Sequence, residues 1–109
     1  MTMTYKVLAQ SSPSATTATD LYTVPGGTST VISTLTICNR SATAGSYRIA
    51  IRPAGVTLDN THYVVYDNAI AGNDSVFLTI GVTVATTDVL TVYASSADMT
   101  FSAFGSEIS

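Results

Sequence analysis

The residues able to do covalent chemistry are few and far apart. There is one histidine, His62, and one cysteine, Cys38. A hydrolytic triad would need His62 between a serine and a carboxylate. No serine sits in the glycine-flanked turn that presents such a nucleophile. Cys38 and His62 would make a nucleophile and base if they met, but nothing in the sequence brings them together. The acids Asp20, Asp59, Asp67, Asp74, Asp88, Asp98 and Glu107 are scattered singly, the closest being seven or eight residues apart. Most fall at the ends of expected strands, where Asp side chains satisfy turn amides, so paired-carboxylate chemistry is the weaker reading. The spaced oxygen ligands of a calcium loop are missing; Asn73-Asp74-Ser75 is at best a weak loop site. Pro25-Gly26-Gly27 lacks the lysine and the helix that a phosphate loop needs. The expectation is a protein that is not an enzyme, with no cofactor and no catalytic or metal-binding residue.

Charge narrows the partners. Only 10% of the 109 residues are charged, while 46% are apolar. Typical domains carry about 25% charged residues. A folded chain of 11.3 kDa exposes roughly 5,700 Å², so its 4 basic and 7 acidic residues leave wide uncharged areas. Soluble monomers usually keep apolar patches to a few hundred Å². Either the 19 Thr and 13 Ser solvate that surface or other subunits cover it, and a homo-oligomer or assembled coat is expected. The net charge of −3, with a single lysine and unclustered arginines, argues against nucleic acid and against an anionic membrane surface. One cysteine excludes an internal disulfide framework; Cys38 reads as a small strand residue or a thiol for pairing between molecules. The N-terminus does not resemble a signal peptide, and no stretch approaches the roughly 20 apolar residues of a membrane helix. Manufacture and assembly in a cytoplasm are expected. The N-glycosylation patterns at Asn39 and Asn73 carry no meaning in that setting.

The elements that would position these residues are strands. Thr, Val, Ile and Tyr abound, and turn formers recur at short intervals. Strands are expected over 5–10, 21–24, 28–39, 46–52, 62–66, 75–80, 89–94 and 99–104. The last two form a hairpin across 95–98, and 68–73 is a loop around Gly72. In the third strand Val31, Ser33, Leu35 and Ile37 share one face, and Ile32, Thr34, Thr36 and Cys38 the other. The fourth alternates most cleanly: Tyr47, Ile49 and Ile51 face the core while Arg48 and Arg52 face outward. About eight short antiparallel strands make one all-β domain over 1–109, a single antiparallel β-sandwich that is jelly-roll-like. The Ser/Thr-rich stretch 11–19 is a loop or an arm that reaches a neighbour.

The tyrosines point to contact surfaces, because Tyr is enriched at protein interfaces. Tyr63 and Tyr66 fall on opposite faces of an ideal strand, so both are buried only if both faces are covered. Tyr63, Tyr66, Arg48, Arg52 and Cys38 are the candidate interface residues. A sugar-binding aromatic platform is a further reading of the same tyrosines.

Five segments carry a resemblance: Tyr5-Lys6-Val7-Leu8-Ala9-Gln10, Leu21-Tyr22-Thr23-Val24-Pro25, Cys38-Asn39-Arg40-Ser41-Ala42-Thr43-Ala44, Arg52-Pro53-Ala54-Gly55 and Phe101-Ser102-Ala103-Phe104-Gly105-Ser106-Glu107. In order and over nearly the whole chain, they resemble small virion structural proteins of tailed bacteriophages, such as those of cyanobacterial phages. The resemblance implies a non-enzymatic particle component and no catalytic residues. The leading expectation for such a component is a capsid decoration or cement protein, a homotrimer bridging major capsid subunits. The alternatives are a tail-fibre or baseplate-attached protein contacting the host surface, and a carbohydrate-binding module.

Overall fold

A computed structural model describes residues 2–109. They form eight strands: β1 (Met3–Ser11), β2 (Thr19–Thr23), β3 (Ser29–Asn39), β4 (Gly45–Arg52), β5 (Tyr63–Ile70), β6 (Ser75–Val84), β7 (Val89–Ala94) and β8 (Met99–Ile108). Single 3₁₀ turns at Pro53–Gly55 and Asn60–His62 are the only helical pieces among the described residues. Two four-stranded antiparallel sheets result. Sheet A has the order β1-β8-β3-β6 and sheet B the order β2-β7-β4-β5. The pairing is nested: first strand with last, second with seventh, third with sixth, fourth with fifth. This is the expected all-β sandwich.

The core lies between the sheets. Sheet A contributes Ile32, Leu35, Ile37, Met99, Phe101 and Ala103; sheet B contributes Tyr47, Ile49, Leu90 and Val92. The rings of Tyr47 and Phe101 meet edge to face across the layer, 6.5 Å apart at 71°. Tyr47 is fully buried, and its hydroxyl accepts a hydrogen bond from Asn68 Nδ2 at 2.8 Å (a buried phenol needs such a partner). Tyr47 and Ile49 are buried, Ile51 packs against the core, and Arg48 and Arg52 lie on the opposite face of β4.

Three expectations are corrected. The stretches 89–94 and 99–104 do not form a hairpin: β7 belongs to sheet B and β8 to sheet A, so the link between them crosses the sandwich. Only β4 and β5 are consecutive strands paired in one sheet, and their link is one of the longest. The faces of β3 do not alternate strictly, because a β-bulge at Ser33 shifts the register against both neighbours. The core face is therefore Thr30, Ile32, Leu35, Ile37 and Asn39. The expected loop 68–73 is half strand, since β5 runs to Ile70 before the chain turns. Likewise β6 and β8 run to Val84 and Ile108, past their expected ends at 80 and 104. The Ser/Thr-rich stretch, expected as a loop or an arm, packs on its own domain: Pro13 is buried, Thr16 N–H donates to Ala94 O at 2.8 Å, and Arg40 reaches Ser12 Oγ at 2.8 Å.

Candidate functional site

Two outward sheet faces are available, and they differ in chemistry. On sheet B the cross-strand pairs Arg48–Tyr93, Ala50–Thr91 and Arg52–Val89 point away from the core. Asp20 pairs with Thr91 on the same side. Arg48 lies between two tyrosines, its guanidinium carbon 4.3 Å from the Tyr66 ring centre and 4.2 Å from that of Tyr93. Its Nε and Nη2 donate to the two oxygens of Asp67, at 2.6 and 3.2 Å. That paired hydrogen bond, with the opposite charge, holds the Asp67 carboxyl below its ordinary range and pushes Arg48 further up. Asp67 takes a left-handed backbone (φ 50°), a conformation Asp tolerates better than most residues. It sits where β5 carries extra residues against β4.

The same irregularity overturns the opposite-face expectation for the tyrosines. Tyr63 and Tyr66 meet edge to face, 4.9 Å apart at 82°. Extra residues in β5 break its strict alternation, so positions three apart reach one another. With Asn60 they line a shallow depression of about 480 Å³. Arg52 is committed within the fold. Its Nε donates to Thr91 Oγ1 at 3.0 Å, its Nη2 to Asp20 Oδ1 at 2.8 Å and its Nη1 to Val56 O at 3.2 Å. It ties β2, β4, β7 and the turn after β4 together. Cys38 is not part of this group; it lies on the outward face of sheet A, paired with Thr100 and Ser75.

That second face carries charge only at its margins, where Lys6 lines its groove and Arg40 Nε donates to Thr100 Oγ1 at 3.0 Å. The register places Met3, Tyr5 and Val7 of β1, Thr100, Ser102, Phe104, Ser106 and Ile108 of β8, and Val31, Thr34, Thr36 and Cys38 of β3 on it. Phe77, Thr79 and Thr83 of β6 complete it. None carries a charge. Tyr5 is 79% exposed and Phe77 71%, with Met3 and Val7 about half exposed. A groove of about 420 Å³ runs beside Tyr5, lined by Lys6, Val31, Ser33, Phe104, Gly105 and Ser106, with the Lys6 ammonium held 3.1 Å from Glu107. Sequence reasoning missed this face. Its signal was the period-two run Met3, Tyr5, Val7, which looks identical whether it faces core or solvent.

The remaining polar groups serve the fold. Asp59 Oδ1 accepts from Thr61 N–H at 2.8 Å and from Thr61 Oγ1 at 2.6 Å, and Asp59 N–H donates to His62 Nδ1 at 3.1 Å. The Thr61 hydrogen bonds hold the Asp59 carboxyl below its ordinary range. His62, which ends the 3₁₀ turn just before β5 of sheet B, is thus a capping residue, while Cys38 lies on sheet A. Asp88 accepts from the N–H groups of Ala54 and Ala85. Asn39 is buried and donates through Nδ2 to Thr43 O and Ala71 O. At one end of the sandwich Glu107 accepts from the Tyr22 hydroxyl and from Lys6 Nζ, while Tyr22 OH also contacts Thr30 Oγ1 at 2.9 Å. Those two donors lower the Glu107 carboxyl, and burial together with the carboxylate pushes Tyr22 up to about 12. Among the described residues no three His, Cys, Asp or Glu converge as a metal site, and no helix is long and apolar enough to cross a membrane. No family model, curated protein or solved structure matches the chain.

Proposed function

We propose that this chain is a non-enzymatic structural component of a tailed-bacteriophage particle, which decorates the head as a cement protein bridging major capsid subunits. The observation that carries this reading is the sparsely charged outer face of sheet A, with Met3, Tyr5, Val7 and Phe77 left in water. A face of that size and composition is stabilised when neighbours cover it. In a symmetric coat many copies of one modest contact add up. The sequence resemblance points the same way. We read the nested strand order as a jelly roll, an architecture that viral capsid domains use, although a fold alone assigns no function.

Quantitative mass spectrometry of purified virions tests the placement. A decoration protein is present in hundreds of copies per particle. About a few tens or fewer would overturn it in favour of a tail-fibre or baseplate protein. A carbohydrate-binding reading draws on the depression lined by Asn60, Tyr63 and Tyr66. It is less favoured, because the Tyr66 ring already stacks on Arg48 and a sugar platform needs a free ring face. Glycan-array binding that Tyr63→Ala abolishes would revive it.

A further inference from the structure

We infer that the outer face of sheet A seats a second copy of this chain, with Phe77 of one copy entering the groove beside Tyr5 of the next. This deepens the assembly reading and rests on it only in taking that face to be covered. Three observations select the occupant.

The first is shape. The face carries both a projection and a recess. Phe77 stands on the edge strand β6 and is 71% exposed. The groove of about 420 Å³ lies across the sheet, between β1, β8 and β3, and has room for a phenyl ring. Projection and recess lie on either side of Thr34 and Thr36, so one copy can serve another in both roles. The contact closes as a pair about a two-fold axis, each Phe77 entering the other copy's groove.

The second is charge. Two copies of a chain with net charge −3 repel wherever their charges meet. Sheet B carries Asp20, Arg48, Arg52 and Asp67, whereas charge reaches the outer face of sheet A only at its margins, through Lys6, which is paired with Glu107, and through Arg40 on Thr100. That face lets identical molecules meet with few like charges opposed.

The third is area. Four strands at ~4.8 Å spacing and about 30 Å of length present roughly 600 Å². Two such faces bury about 1,200 Å² in total, the lower bound for a specific, stable interface. Self-association with a midpoint in the micromolar range is therefore expected.

Analytical ultracentrifugation of the isolated protein, from about 1 to about 500 μM, tests the contact. The wild type is expected to form a closed dimer. Because few charges meet there, association should hold or strengthen in 1 M NaCl. Phe77→Asp and Tyr5→Asp, both at exposed positions, should each weaken association by at least about tenfold. Tyr66→Ala, on the other sheet, should leave it unchanged. Concentration-dependent amide exchange of the wild type should show protection on β1, β8 and β6, a readout that needs no variant. A wild type that stays monomeric, or oligomers indifferent to both aspartates with protection elsewhere, would overturn the inference. Neither result bears on copy number in particles, so the two readings fail separately.

Discussion

Tyr22 and Glu107 belong to different sheets and join the ends of β2 and β8 through one hydrogen bond. Lys6 brings in β1 and Thr30 brings in β3. Burial raises the cost of leaving either partner unmade. Tyr22→Phe should therefore destabilise the fold by about 1–3 kcal/mol, as urea denaturation would measure. The pH response has a fixed sign. Glu107 titrates below its unfolded value of 4.5, so its contribution is complete above that pH and fades as pH falls through the native value. Tyr22 titrates above its unfolded value of 10.0, at about 12. Its contribution is complete below 10.0 and is lost as pH rises toward 12. Glu107→Gln should be less stable than wild type at pH 7, and the gap should narrow steadily toward pH 3. A gap independent of pH would remove the carboxylate from the account. Arg48 makes a second case. Lysine offers one point charge where Arg48 supplies a planar group between two rings and a forked bond to Asp67. Arg48→Lys should lower the melting temperature, and the loss should be smaller in Asp67→Asn, where part of the contact is already gone.

Bulges decide what each strand can present. Ser33 interrupts β3 where Gly105 passes opposite Ile32. A Cβ at Gly105 would stand 1.9 Å from the Val31 carbonyl oxygen, so the close strand approach needs glycine there. Gly105→Ala should cost about 1–3 kcal/mol by overpacking, and thermal unfolding would show it. An unchanged melting temperature would mean that β3 can move aside. The same bulges explain what the sequence hid. Strand identity was legible in the β-branched runs and their turn residues, and β4 showed its core face plainly through Tyr47, Ile49 and Ile51. In β3 the bulge turned Thr30, Ile32, Leu35 and Ile37 onto one side, which strict alternation forbids. Pairing was not legible, because a four-residue link such as 95–98 can close a hairpin or cross between sheets. Of the candidate contact residues, Arg48, Tyr63 and Tyr66 do converge. Their partners Asp67 and Tyr93 come from register, which composition cannot reveal. The outer face of sheet A escaped because exposed and buried strand faces share one period.

The whole molecule is a thin slab, 45 × 28 × 19 Å, with a total surface of 5383 Å². That area is close to the roughly 5,700 Å² expected for its mass, so the shortage of charge reflects how charges are placed, not an unusual size. The ion pairs that occupy the middle of a sheet face do so on sheet B, where Arg52–Asp20 and Arg48–Asp67 pair off. A slab with one sparsely charged face of hydroxyls and exposed apolar side chains, and one face of ion pairs and tyrosines, suits contact with its own kind on the first side and a polar partner on the second. Site-specific photo-crosslinking in assembled particles separates the two. A benzophenone side chain in place of Phe77 should capture another copy of this chain. The same group in place of Tyr66 should capture a different particle protein, because Arg48, Tyr63 and Tyr66 form the aromatic and cationic surface that protein interfaces favour. Both positions are exposed, so neither replacement disturbs the core. If position 66 captured only this chain and position 77 only a foreign protein, the faces would be exchanged and the sparsely charged face would be the capsid-binding side. The physical ground for the first outcome is that identical molecules share the same net charge and meet most readily where each presents least.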